Sequence, residues 1–170
     1  MIHGSPKSGH DTTRFQIAIS NQQSLHAVDE QQLRDAALTV LNNAAFSSAA
    51  ISIAVVDDAT IHELNRRHLN HDWPTDVLGF VLEDNNGHLE GEVIISADTA
   101  AAAAEEVGPA ADREQLLYVI HGMLHLVGYR DKSDIEAQEM RATEARYLQE
   151  LLPLPEGEGL KRIPQRRAVP

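Results

Sequence analysis

The stretch from Asp112 to Val127 constrains this chain more than any other. On a 3.6-residue period, Leu116, Leu117, Ile120, Met123, Leu124, Leu126 and Val127 point in almost every direction around one helix. A helix that is apolar nearly all round has to be buried nearly all round. The other elements must therefore wrap it, and any polar group it carries needs a partner inside the protein. It carries two histidines, His121 and His125, one turn apart on a single face.

What can wrap such a helix is legible in the rest of the pattern. Phe15, Ile17 and Ile19 alternate, which predicts a strand over 14–20. Leu33, Ala36, Ala37, Val40, Leu41 and Ala44 follow helical spacing from Asp29 to about Ala45. The β-branched run "AISIAVV" predicts a buried strand over 50–56. Asp57 and Asp58 offer cap chemistry for a short helix over 59–69 with Ile61 and Leu64 inward, followed by a loop over 70–74. Strands over 75–83 and 88–96 flank "DNNG", a hairpin signal. An alanine-rich helix from Asp98 stops at Gly108-Pro109. Ser133 and Glu136 have capping-box spacing for a last helix to about Leu152.

The expectation is α+β: a single compact domain over 14–152, with a mixed, mostly four-stranded sheet and about five packed helices. Residues 1–13 form a polar lead-in, and 153–170 a basic, Pro-containing tail. The start of the chain lacks the basic and apolar blocks of a signal peptide, and no apolar run is long enough to cross a bilayer. A cytoplasmic location with no membrane partner is the expectation.

Composition narrows the chemistry. No cysteine is present, so any metal must be held by His, Asp or Glu. The formal charge is -12, from 26 acidic and 14 basic side chains. A chain that works on phosphate backbones is normally basic, so a nucleic-acid role here needs a local basic patch or a metal that offsets the acidity.

A bare H-x3-H pair has two readings: core histidines bonded to backbone or carboxylates, or metal ligands. Gly128 tilts the balance, because a glycine just past a helix can turn the chain back toward the face it left. The order His121, His125, Gly128, Asp131 then offers two imidazoles and a carboxylate, all acceptable zinc ligands. Three ligands leave a position open, as catalysis requires, at the C-terminal end of the helix. Asp134 competes for third place, but beside Ser133 it suits helix capping. Gly122 stands where zinc proteases carry their catalytic glutamate, which disfavours peptide hydrolysis by that route.

The stretch "HGMLHLVGYRD" resembles the signature H-G-x-L-H-L-x-G-Y-D-H of the YbeY family of bacterial endoribonucleases and rRNA maturation factors. "LN" at 64–65 with "TDVLGF" at 75–80 resembles the family's L-N…T-D-V-L-S-F, and "GEVIIS" at 91–96 its G-D-I-x-I-S. The resemblance implies a compact α+β domain with one zinc ion at the base of a cleft. It also implies cleavage of single-stranded RNA, with ribosomal RNA and small-subunit components as partners. By that correspondence the metal ligands are His121, His125 and Asp131.

Two positions depart from the pattern. Asp131 stands where the family has histidine; a carboxylate lowers the charge of a zinc site and makes the metal a weaker Lewis acid. Leu69 stands where the family has an arginine implicated in catalysis, and leucine cannot stabilise phosphoryl charge. Arg130, beside the changed ligand, and Arg66, one turn before Leu69, are candidates for the lost phosphate contact. Arg66, Arg67 and His71 are candidate RNA contacts within "NRRHLNH". Lys161, Arg162, Arg166 and Arg167 could bind RNA from the tail, and Trp73 either stacks on a base or packs against the domain.

Overall fold

The computed structural model describes residues 14–107 and 111–153. Among them the chain runs β1 (Phe15–Asn21), α1 (Glu30–Asn42), β2 (Ser48–Val56), α2 (Asp58–Leu69), β3 (Val77–Asn85) and β4 (His88–Ser96). It continues as α3 (Ala97–Val107), α4 (Ala111–Leu126) and α5 (Asp134–Leu151). The expected lead-in, the Gly108-Pro109 stop and the tail beyond Pro153 lie outside the described residues.

Caps set several of the boundaries. Asp29 accepts from the Gln32 amide at the start of α1, and Asp57 accepts from the Thr60 amide at the start of α2. Ser133 and Glu136 close a reciprocal capping box at the start of α5. Asp58 is not a cap: its carboxylate accepts the hydroxyls of Ser96 and Thr99, which pins α2 to the β4–α3 junction.

The four strands form one mixed sheet in the order β1-β2-β4-β3. β1, β2 and β4 are parallel, and β3 returns antiparallel to β4. β3 runs two residues further than its pattern suggested, to Asn85, because the turn needs only Asn86 and Gly87. Their φ values of 51° and 77° make a two-residue turn with both centres left-handed, whose twist matches the flanking strands. A register shift between Val81 and Glu83 absorbs the odd residue.

Alternation along the strands divides the core in two. On one face Ile51, Ile53, Val55, Val77, Val93 and Ile95 pack with α1, α4 and α5. On the other, Ala54, Val56, Leu78 and Ile94 form a smaller cluster with Ile61 of α2, against which Leu64, Leu69 and Phe80 lie.

α4 is the wrapped helix: every residue from Glu114 to Leu124 is buried. Gly122 sets its depth. A Cβ there would stand 2.7 Å from one methyl of Val93 and 3.1 Å from one of Val77. Glycine therefore lets the helix backbone sit directly on β3 and β4, and a glutamate has no room on that side.

Candidate metal centre

The end of α4 builds the site through its backbone. The Tyr129 amide bonds the Leu124 carbonyl at 2.9 Å, and the Gly128 amide bonds the His125 carbonyl at 3.1 Å. This pair of bonds, with Gly128 at φ 106°, is a Schellman turn. It satisfies carbonyls that the helix would otherwise orphan and sends residues 129–131 back along the helix. Asp131 thereby reaches the histidine face.

Each histidine has one nitrogen fixed by a partner that accepts. His125 Nδ1 donates to the Tyr129 carbonyl oxygen at 3.1 Å. His121 Nδ1 donates to Glu144 Oε1 of α5 at 2.5 Å, a contact in which both side chains are almost wholly buried. A carbonyl or carboxylate oxygen accepts, so in the neutral rings both Nδ1 atoms carry the proton and both Nε2 atoms present lone pairs. Burial holds the His125 imidazole below its ordinary pKa; His121 adds to this, and Asp131 opposes it.

Those lone pairs converge. His121 Nε2 and His125 Nε2 lie 3.1 Å apart, and Asp131 Oδ2 lies 3.8 Å from the first and 3.5 Å from the second. With both rings neutral, three electron-rich atoms this close repel one another unless a proton or a metal ion is shared. A four-coordinate zinc with bonds of about 2.0–2.2 Å spaces its ligand atoms about 3.3–3.6 Å apart, and the three separations bracket that range. His121, His125 and Asp131 thus form a group that could hold a metal ion. The Glu144 carboxylate behind His121 fixes its ring orientation.

A cavity of about 280 Å³ opens beside the group, lined by Gly79 and Val81 of β3, by His125, Leu126, Gly128 and Tyr129, and by Arg130. Arg130 therefore shares a wall with one of the two histidines. Arg66 and Arg67 do not appear there: both bond the carboxylate of Glu63 on their own helix, each at 2.7 Å, and both are exposed. His71 stacks on Trp73. Leu69 packs into the small core beneath α2, where an apolar side chain belongs. Asp134 is the exposed first residue of α5. Of the other histidines, His62 meets Asp72, His68 meets the edge of Phe80, and His88 meets Ser48 and Glu90.

Glu144 is the residue that sequence reasoning missed. Its signal was present: Met140, Thr143, Glu144, Tyr147 and Leu148 form the buried stripe of α5, and an acid inside such a stripe demands a partner.

The family model described as "Endoribonuclease YbeY" matches residues 18–152. A Salinibacter ruber protein of that description is 34% identical over 147 residues, covering 82% of this chain and 94% of its own. A Geobacter sulfurreducens protein of the same description is 37% identical over 137 residues, covering 76% and 91%. The solution structure of TM1509 from Thermotoga maritima matches with a TM-score of 0.58 at 26% identity, over 79% of this chain and 88% of that one.

Proposed function

The chain belongs to the YbeY family, and from that premise we propose that it is a zinc-dependent endoribonuclease. Its substrate is single-stranded ribosomal RNA, cut in the cytoplasm during maturation and quality control of the small ribosomal subunit. The observation that carries the reading is the convergence of two imidazole Nε2 atoms and one carboxylate oxygen, with both Nδ1 atoms already committed. Among the described residues no helix is long and apolar enough to cross a membrane.

One ion held by His121, His125 and Asp131 would supply Lewis acidity toward a phosphodiester. The chain's own residues do the rest. Glu144 and the Tyr129 carbonyl hold the imidazoles in the tautomer that leaves Nε2 free. Gly128 adds no side chain to the cavity wall, and a Cβ there would meet nothing within 4 Å. Arg130 is the first candidate for the phosphate contact, because it lines the cavity with His125. Arg66 is the second, with Arg67 and His71 as more distant RNA contacts; engagement of either arginine would compete with Glu63.

Metal content of the purified protein, followed by incubation with structured and single-stranded RNA with and without chelator, tests the reading. Chelator-sensitive cleavage of the single strand, lost in His121→Ala, is expected. Bound zinc without turnover would instead favour a non-catalytic ribosome-assembly factor, a second reading supported by the purely apolar role of Leu69. A metallopeptidase is disfavoured by the packing of Gly122 against Val93 and Val77.

A further inference from the structure

Trp73 is the chain's single tryptophan, and it stands 45% exposed in the loop between α2 and β3. A tryptophan kept for packing would be covered; this one is covered on one side by another ring. The His71 imidazole stacks on the indole, with centroids 4.5 Å apart and planes within 13°. The loop that presents the pair is held from below by Asn65, which is fully buried. Its Nδ2 donates to the Trp73 carbonyl at 2.8 Å, and its own carbonyl accepts the amides of Asn70 and His71. Asn70 adopts the left-handed conformation that ends α2, and Pro74 restricts the chain on the other side.

This rigidity is not matched by polar satisfaction. Asn65 Oδ1 and His71 Nδ1 are buried without hydrogen-bond partners, so the ring of His71 is placed by stacking alone. The last turn of α2, immediately before the loop, carries Arg66, Arg67 and His68 in a chain of net charge -12. An aromatic platform beside two arginines, here paired with Glu63, is an arrangement suited to single-stranded nucleic acid.

We propose that Trp73, backed by His71, is a stacking subsite for one unpaired nucleobase of the RNA. This rests on the reading of the chain as an enzyme of RNA. Gly79 in the cavity wall is six positions along the chain from Trp73, a span of at most about 22 Å. Because every base has a π-face, the subsite selects for single strands rather than for a sequence.

The single tryptophan makes its own reporter. In chelator, so that nothing is cut, a ten-nucleotide single-stranded RNA is expected to quench Trp73 fluorescence. An abasic strand of equal length and charge should leave it nearly unchanged. By anisotropy of the labelled RNA, Trp73→Ala should bind about 5- to 150-fold more weakly, the range for one base–aromatic stack, and Trp73→Phe should recover most of the loss. Matching thermal melts establish that the variants are folded. Equal quenching by the abasic strand, or unchanged affinity of Trp73→Ala, overturns the subsite. Metal-restored cleavage of a longer RNA separates the two readings. Quenching without cleavage supports the subsite while the enzyme reading fails; cleavage with an unaffected Trp73→Ala sinks the subsite alone.

Discussion

Two of the histidine–carboxylate pairs in this molecule serve different ends. His26 Nε2 meets Asp98 Oδ1 at 2.9 Å, with side chains 29% and 30% exposed. The other oxygen of Asp98 accepts the Asp58 amide, so that pair ties the loop before α1 to the start of α2. His121 meets Glu144 at much the same range, but both side chains are about 95% buried or more. What distinguishes them is the second nitrogen. That of His121 is aimed at another imidazole and another carboxylate, and only a cation reconciles the three. A histidine–carboxylate bond is thus no sign of a metal site by itself; the environment of the remaining lone pair is.

The largest test of that contrast is deletion. His121→Ala should abolish stoichiometric metal binding by elemental analysis, and RNA cleavage with it, whereas His26→Ala should leave metal content unchanged. Equal loss in both variants would break the comparison. Next comes the supporting carboxylate. Glu144→Ala should weaken metal binding about 10- to 100-fold in a chelator competition. It should also cost about 1–3 kcal/mol of stability, because His121 Nδ1 is then buried without an acceptor. Glu144→Gln keeps an acceptor and should recover much of the affinity.

Depth of the helix comes third. Gly122→Ala should destabilise the protein by about 1–3 kcal/mol in urea titration, since the added methyl meets Val93 and Val77. An unchanged midpoint would mean that α4 can lift off the sheet freely.

Acid distinguishes the pairs again. Burial depresses the folded pKa of His125 below its ordinary 6.5, so between the two values the unfolded chain binds more protons. Stability of the chelator-treated protein should be complete above that ordinary value and fall as pH drops beneath it, by no more than about 1.4 kcal/mol per pH unit for one proton. A His125→Gln variant should flatten this profile. The smallest effect belongs to the half-buried pair: His26→Ala should cost about 1 kcal/mol or less by thermal melt.

Local chemistry was the legible part of this fold. The capping box at Ser133, the turn at Asn86-Gly87 and the reversal at Gly128 each depend on residues a few positions apart, and each follows from its own short sequence. The all-round apolarity of α4 also told that it would be central. Strand order was not readable, because β2 pairs with β4 across the whole α2–β3 segment and nothing local records that choice. Glu144 lies 23 residues from His121, and only the docking of α5 on α4 brings them together. The close approach at Gly122 was hidden for the same reason: it concerns methyl groups on two other strands. Leu69 reads as an absence in the sequence, and as an ordinary packed side chain in the fold.

The support for His121 arrives with α5, the last helix among the described residues. Ribosomes release a chain from its beginning, so both histidines and Asp131 emerge before the acid that orients the first of them. Until synthesis has passed Glu144 and the helix has docked, the cluster lacks the bond that fixes its tautomer. A chain still attached to the ribosome therefore carries an unfinished centre beside the very class of molecule it is proposed to cut, and gains the finished one only once α5 has emerged and docked.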